Sequence, residues 1–458
     1  MRLCWPAASM SLKVIIIGAG LSGALLANGL AKNGIETVLY ERDQQDTKKE
    51  GYLIRLGDGA TTGFRACLSE SQTATIRRKF SDTDVSSSTA PALYTSSFRL
   101  LLDLTRLPSW TKAASINRKI LRDELLSPIK TRDLVKFRKA FSHYEIFCDD
   151  YGAEKVRVVF ADGSSDTCDL LVGADGSASQ INAQVGARNL VDITSHWSFH
   201  AKGNLPVSHM MRLPKQLLRG PIAVFSKGCQ LFYALYVPGA SFHQHGAADN
   251  ISIIDKGDDD PVGSFYWGLH IPKAQIPYED LTEIPNCRKL VMDQVRDWAP
   301  ELQTMLSIGS TDEDTEDLYI AKLRASTQPP SNWRDIRQAC STEEGHARVW
   351  LIGDAIHCML PNRGQGGNQA LHDCADILPE LVALNAQVIS GRSLSTEDIR
   401  RACVRYEAKM FPRVFAWVKK SGGAVANEVG WERLSARYMA CLKDTPINDC
   451  SSTLILMA

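Results

Sequence analysis

Apolar residues fall into short blocks whose periodicity changes along the chain. Residues 13–17 form a β-branched run that reads as a buried parallel strand. A Gly-rich turn follows, and 21–33 reads as a helix with Gly34 as its stop. Residues 36–40 read as a second strand, completing a βαβ unit of about thirty residues. The pattern predicts further helices at 59–68 and 117–126, the second closed by Ser127-Pro128. Between them, 81–90 is a loop rich in Ser, Thr and Asp. Residues 143–148 and 155–160 read as a hairpin or small meander, and 170–172 as an apolar strand ending at Gly173.

From about 191 to 323 the pattern shifts to short apolar or aromatic strands, such as 230–237 and 264–271, between polar loops. This predicts a second, sheet-rich lobe. A buried strand at 347–352 returns the chain to the first lobe, and helices are expected at 369–389, 395–411 and 413–420. No internal repeat or low-complexity segment interrupts this order.

Three stretches carry chemistry. Gly18-x-Gly20-x-x-Gly23 lies between the first strand and helix. Gly18 allows the tight turn, Gly20 lets a pyrophosphate approach the backbone, and Gly23 lets helix and strand pack closely. The helix N-terminus then offers free N–H groups and a dipole to the phosphate charge. Glu41 ends the second strand, about twenty residues on, where a carboxylate accepts hydrogen bonds from a ribose hydroxyl and repels a 2′-phosphate. The alternative is a Gly-rich turn with a surface Glu. The second stretch runs from Leu171 to Ser179 through Gly173, Asp175 and Gly176, and alone it is also compatible with any tight turn. The third is Gly353-Asp354-Ala-Ile-His357, then Pro361, Gly364, Gly366, Gly367 and Asn368. Its carboxylate can bind a polyol, its glycines let backbone approach a flat ring, and the following helix N-terminus stabilises negative charge. A structural turn capped by Asp354 is the alternative.

The fold class is therefore α/β. A Rossmann-type dinucleotide-binding domain occupies 12–190 and 331–390, a sheet-rich substrate domain is inserted at 191–330, and a helical region follows at 391–458. A chain of 458 residues, 44% hydrophobic, can fill one large core or two lobes. Basic and acidic residues balance at 52 each, which gives no electrostatic case for nucleic acid or an anionic membrane. The acidic runs at 255–260 and 311–317 read as solvated loops, because neither has the Gly and Glu spacing of a calcium site. No metal is expected. The twelve cysteines include no C-x-x-C pair and read as reduced thiols, which suggests a cytoplasmic location. No apolar run approaches a membrane span, and Met1–Met10 lacks the features of a signal peptide. Met10 is an alternative start.

Together the motifs resemble the para-hydroxybenzoate hydroxylase-type FAD-dependent monooxygenases, most closely those that modify secondary metabolites. The resemblance covers most of 12–420. It implies that Gly18, Gly20, Gly23 and Glu41 hold the FAD pyrophosphate and adenosine ribose. It links Asp175 and Gly176 to FAD and the pyridine nucleotide, and Asp354 to the ribityl chain. Pro361, Gly364, Gly366, Gly367 and Asn368 match the loop beside the isoalloxazine. Arg118 matches an Arg that contacts FAD from a helix N-terminus, and Arg55 a position beside the flavin where relatives often carry Gly. The implied chemistry uses NAD(P)H to reduce the flavin, and O₂ then adds as a C4a-hydroperoxide that oxidises a small molecule. Hydroxylation and epoxidation both remain open.

Two positions depart from the pattern. Asn182 stands where the Asp-Gly element usually reaches an Arg, and His372 where an acidic residue is common. Phe232, Tyr233, Tyr236, Tyr266, Trp267 and His270 are candidate pocket residues, with Arg55 and His270 as candidate catalytic groups. Trp267-Gly-Leu-His-Ile-Pro272 also resembles the W-x-W-x-I-P element of flavin halogenases, but Leu269 replaces the second Trp. A dehydrogenase and a flavin-binding protein without turnover are the remaining alternatives.

Overall fold

The computed structural model describes residues 11–45, 53–80, 91–103, 114–218, 221–236, 240–242, 251–253, 262–308, 318–339 and 341–423. The 81–90 loop, both acidic runs, Met1–Met10 and the chain after 423 lie outside the described residues.

Five parallel strands build the first sheet, in the order Val349–Leu351, Leu170–Gly173, Lys13–Ile17, Glu36–Tyr40, Val135–Lys136. Lys13–Ile17 is central, and Val14 to Ile17 are buried. Such a strand needs apolar side chains on both faces, which explains the unbroken Ile run. The helix Leu21–Lys32 packs against Glu36–Tyr40 and against the helices Arg118–Lys130 and Gly366–Ile389. A three-stranded antiparallel meander, Phe141–Cys148, Glu154–Phe160 and Ser165–Cys168, joins the same core.

The second lobe is a seven-stranded sheet in the order Leu318–Ala321, His196–Pro206, Val262–Pro272, Cys229–Tyr236, Ile222–Ser226, Ala92–Tyr94, Leu100–Asp103. The last two strands come from within 12–190, so the sheet draws on more of the chain than the pattern of 191–330 suggested. Phe199, Leu231, Phe265 and Leu269 point to one face, where Leu290, Val291, Leu302 and Met305 of two helices complete a separate core. A two-stranded ribbon, Leu53–Leu56 with Ala114–Asn117, stands between the lobes. Leu56 belongs to the first core, whereas Leu53 packs on Ala234 of the large sheet.

Two helices run past prolines that were expected to end them. Arg118–Lys130 contains Pro128, and Thr396–Lys420 is one helix through Pro412 rather than two. An interior proline costs about 3 kcal/mol. Met410, Phe411, Val414, Phe415 and Val418 stay buried across the second break, and their packing offsets that cost.

Candidate functional site

The three glycine-rich stretches converge at the carboxyl ends of the parallel strands. Gly18 has φ +106°, and a Cβ there would lie 2.4 Å from the Ala174 carbonyl oxygen. A Cβ on Gly23 would lie 2.0 Å from the Gly18 oxygen. Both glycines are therefore required by the protein's own packing. Gly20 differs: a Cβ there would meet nothing within 4 Å. Gly20 also begins the Leu21–Lys32 helix without a side-chain cap. The helix thus presents open N–H groups to free space, as an anion site requires.

The Glu41 carboxylate reaches back to this turn. Its Oε2 accepts from the Ala19 backbone N–H and from Arg122, both at 3.1 Å. Arg122 also donates to the Ala19 carbonyl at 2.6 Å. Arg122 was not singled out from the sequence, although it lies one helical turn beyond Arg118. That spacing, which puts two cations on one helix face, was the available signal. Arg118 itself is the first residue of the helix Arg118–Lys130, whose N-terminus Asn117 caps.

The second stretch is built into the scaffold. The Asp175 carboxylate accepts from Ser179 Oγ at 2.6 Å and from the Gln180 N–H at 2.9 Å. Burial pushes its pKa up, and these hydrogen bonds oppose the rise. Gly176 adopts φ +82° beside open space. Asn182 is buried and donates to Asn189 and to the Ala355 carbonyl, both at 2.8 Å. It therefore ties the Asp-Gly element to the turn after Asp354 and offers no group to a nicotinamide.

The third stretch forms the other wall. Asp354 has exposed surface yet is closely surrounded by protein, as at the floor of an open groove. That enclosure pushes its pKa above the usual carboxylate range, while His357 and Arg118 pull it down. Behind it, His357 Nε2 and Asp373 Oδ2 are 2.6 Å apart and fully buried, and Arg413 pairs with Asp373. The Gly353 N–H donates to the same Asp373 oxygen, which fixes the Asp354 turn. Burial and the nearby Arg413 charge lower the pKa of neighbouring His372. Pro361 and Gly364 are exposed, and Gly364 has φ +60°. Gly366 and Gly367 open the Gly366–Ile389 helix, again without a side-chain cap. A Cβ on Gly367 would meet nothing within 4 Å, and one on Gly366 would come no closer than 3.8 Å to Met359 and 3.9 Å to Asp354. Two uncapped helix ends thus face open space at Gly20 and Gly367, and the Asp354 carboxylate lies beside the second of them. This suits a dinucleotide with a flat ring.

Asn368 acts on the protein rather than on the groove. Its amide donates to the Arg55 and Gly364 carbonyls and accepts from the Gly57 N–H. It thereby fixes the strand that carries Arg55 to the glycine loop. The Arg55 side chain alternates in phase with Leu53, which contacts the large sheet, and burial lowers its pKa to about 10.

Strand alternation divides the candidate pocket residues. Tyr233 and Trp267 are buried in the helix-covered core, with no partner for the Tyr233 hydroxyl or the Trp267 indole N–H. They are core residues, and Trp267 faces away from the cleft. Phe232, Tyr266 and His270 share the other face. Tyr236 lies in the same strand as Phe232, at the edge of the described residues. His270 does not stand beside the groove. Its Nδ1 bonds Ser198 Oγ at 2.9 Å, and burial lowers its pKa to about 3. It stands six residues along the strand from Ser264, the residue that Asn117 of the ribbon contacts. That separation is about 20 Å.

Among the described residues no cluster of His, Cys, Asp and Glu could hold a metal, and no helix is long and apolar enough to cross a membrane.

The parallel sheet, its glycine-lined groove and the facing second sheet define a flavoprotein fold of the type found in FAD-dependent monooxygenases. The chain belongs to the FAD binding domain family, whose model matches residues 11–202 and 296–404. It is similar to the FAD-dependent monooxygenase thnD of Trichoderma harzianum, 25% identical over 87% of this chain and 89% of the relative. It also resembles the dual O-methyltransferase/FAD-dependent monooxygenase CTB3 of Cercospora beticola, 23% identical over 81% of this chain but only 42% of that protein. The chain thus spans less than half the length of several of the curated relatives it matches. The crystal structure of Klebsiella pneumoniae HpxO with FAD and uric acid shares the fold, with a TM-score of 0.64 and 20% identity over 97% of each chain.

Proposed function

We propose that this chain is an FAD-dependent monooxygenase that uses NAD(P)H and O₂ to oxidise an aromatic, polyketide or alkaloid-like small molecule. The observation that carries the reading is the open space at Gly20 and Gly367, with Asp354 beside Gly366 and with Asn368 tying the glycine loop to the strand that bears Arg55. Gly20 and the Leu21 helix end would hold the pyrophosphate, Glu41 the adenosine ribose, and Asp354 and Arg118 the ribityl region. Pro361, Gly364, Gly366 and Gly367 would line the ring. Bound FAD supplies the redox and oxygen chemistry.

The protein's part is to bind, orient and exclude water. The uncapped Gly366 helix end favours negative charge on the ring edge beside it. Arg55, on the side of its strand that meets the large sheet, would place a cation between ring and substrate. Phe232 and Tyr266 would offer aromatic surface to a flat substrate. With Asn182 buried, a nicotinamide would dock transiently from the open side. Relatives named as FAD-dependent monooxygenases in Cercospora beticola and Trichoderma harzianum support the reaction class.

The test is to purify the chain, load it with FAD and measure NADPH and NADH oxidation with aromatic compounds. Stoichiometric flavin and substrate-stimulated oxidation support the reading. A chain that takes up no FAD rejects it.

A further inference from the structure

Aromatic rings form a row across four neighbouring strands on the cleft-facing side of the large sheet. Tyr319 and His200 are stacked, with ring centroids 5.1 Å apart and an interplanar angle of 16°. His200 and Tyr266 follow at 5.8 Å and 29°, and Tyr266 and Phe232 at 6.4 Å and 52°. The row crosses Leu318–Ala321, His196–Pro206, Val262–Pro272 and Cys229–Tyr236 in their order in the sheet. Three strand spacings make it about 14 Å long. The rings are also held in place. Tyr266 Oη lies 2.8 Å from His200 Nδ1. Gly268 pairs with His200 on one side and Phe232 on the other. It leaves the rings room, because a Cβ there would lie 2.9 Å from His200 Nδ1 and 3.0 Å from Tyr266 Oη.

A cation stands at the outer end of the row. Phe199 and Ala201 face the helix-covered core, so His200 and Lys202 face the cleft. Lys202 Nζ lies 5.0 Å from the centre of the Tyr319 ring. An ammonium over a ring face keeps N–H donors for a further acceptor. Burial, and then the Lys202 charge, lower the His200 pKa to about 4. His200 therefore adds no charge of its own beside Lys202.

The other end of the row lies toward the groove. Tyr266 pairs across the strands with Lys202 on one side and Ala234 on the other. Ala234 packs on Leu53 of the ribbon that carries Arg55. Lys202 thus stands two strand spacings, about 10 Å, from the strand that meets this ribbon. A single benzene ring with one substituent does not cover that distance, whereas two or three fused rings do.

We propose that the substrate is a planar aromatic acid of two or three fused rings, whose rings rest on the Tyr319–His200–Tyr266–Phe232 row and whose carboxylate is held by Lys202. The proposal rests on the monooxygenase reading and narrows its substrate class. One ammonium matches the single negative charge of a carboxylate, whereas a phosphate dianion calls for more than one cation. A carboxylate here lies against uncharged aromatic side chains. A charge-assisted hydrogen bond in such surroundings discriminates against an analogue of the same shape that lacks the charge.

The test uses the FAD-loaded full chain and anthracene-2-carboxylate, whose fluorescence anisotropy reports binding without turnover. Anthracene-2-carboxamide and benzoate serve as competitors. The parent chain should bind the anthracene carboxylate about ten-fold or more tightly than either competitor. Lys202→Met should weaken the carboxylate about ten-fold and leave the carboxamide unchanged, a split that general damage to the sheet would not produce. Lys202→Arg should keep the preference. Tyr319→Leu, at an exposed position on the edge strand, should reduce the advantage of anthracene-2-carboxylate over benzoate. Equal affinity of the parent chain for carboxylate and carboxamide would overturn the proposal. An unchanged preference in Lys202→Met, or no binding of anthracene-2-carboxylate to the holoenzyme, would do the same. FAD content and flavin bleaching by NADPH, recorded first on the same preparation, separate this failure from that of the monooxygenase reading.

Discussion

Asp354 concentrates the electrostatics of the groove in a single side chain. A charge-assisted hydrogen bond contributes about 1.5–3 kcal/mol, so Asp354→Ala should weaken FAD binding by about ten- to a hundred-fold. Isothermal titration of the FAD-free chain measures this. The pH dependence has a defined sign. Enclosure raises the Asp354 pKa, so in the FAD-free chain the carboxylate costs stability above that pKa, and the cost is relieved as pH falls through it. Hydroxyl donors from FAD favour the ionised form. The gain in melting temperature on adding FAD should therefore shrink as pH falls through the raised Asp354 pKa. Glu41→Ala should weaken FAD and also loosen the Gly18–Gly20 turn, because Glu41 holds the Ala19 N–H and Arg122. A lower melting temperature without FAD would reveal the second effect. Arg55→Ala is expected to change turnover more than FAD content, read from the flavin spectrum and the NADPH oxidation rate. At this scale the glycines, Glu41 and Asp354 were legible, since backbone geometry and a single carboxylate at fixed spacing leave a local signature. Arg122 was missed although its one-turn spacing from Arg118 was readable; its bonds to Ala19 and Glu41, which join elements far apart in sequence, were not.

Elements respond to substitution according to which side of the backbone is occupied. In the first turn, Gly20→Ala should fold normally and lose FAD affinity, because its Cβ would enter open space. Gly23→Ala should lower stability, because its Cβ would meet the Gly18 oxygen. Circular dichroism melts beside FAD titrations separate the two, and equal thermal damage from both would contradict the account. The strands and helices of the first lobe were legible because the Ile run and the glycine stop act locally. Helix ends at Pro128 and Pro412 were misread because local propensity yields there to packing on both sides of the proline. Tyr233 and Trp267 were grouped with the pocket although strand alternation already placed them opposite Phe232 and Tyr266. The polar alternation of Ser198, His200 and Lys202 carried the same information about the facing strand.

The whole molecule sets one lobe's glycine-lined groove against the polar face of the other lobe's sheet, with the Leu53–Leu56 ribbon between them. Under the proposed function this arrangement would make substrate and cofactor neighbours. Reduction without substrate would waste NADPH as hydrogen peroxide, so substrate binding should accelerate it. A preference of about 2.7 kcal/mol for one ring position shifts its equilibrium about a hundred-fold, which makes an acceleration of about ten-fold or more expected. Anaerobic stopped-flow reduction with and without a verified substrate measures it. The two-lobe architecture was legible from the change of pattern near 191. The contribution of 92–103 to the large sheet was not, because those strands reach it from a distant part of the chain. Under the proposed function, this chain places one atom of O₂ into an organic substrate. Its most direct test is turnover of the FAD-loaded chain with NADPH under ¹⁸O₂ and a panel of hydroxylated aromatic compounds, followed by mass spectrometry of the products. A product with a single labelled oxygen, formed in step with NADPH consumption, is expected. Oxidised product without label, with the oxygen recovered as hydrogen peroxide, would contradict it.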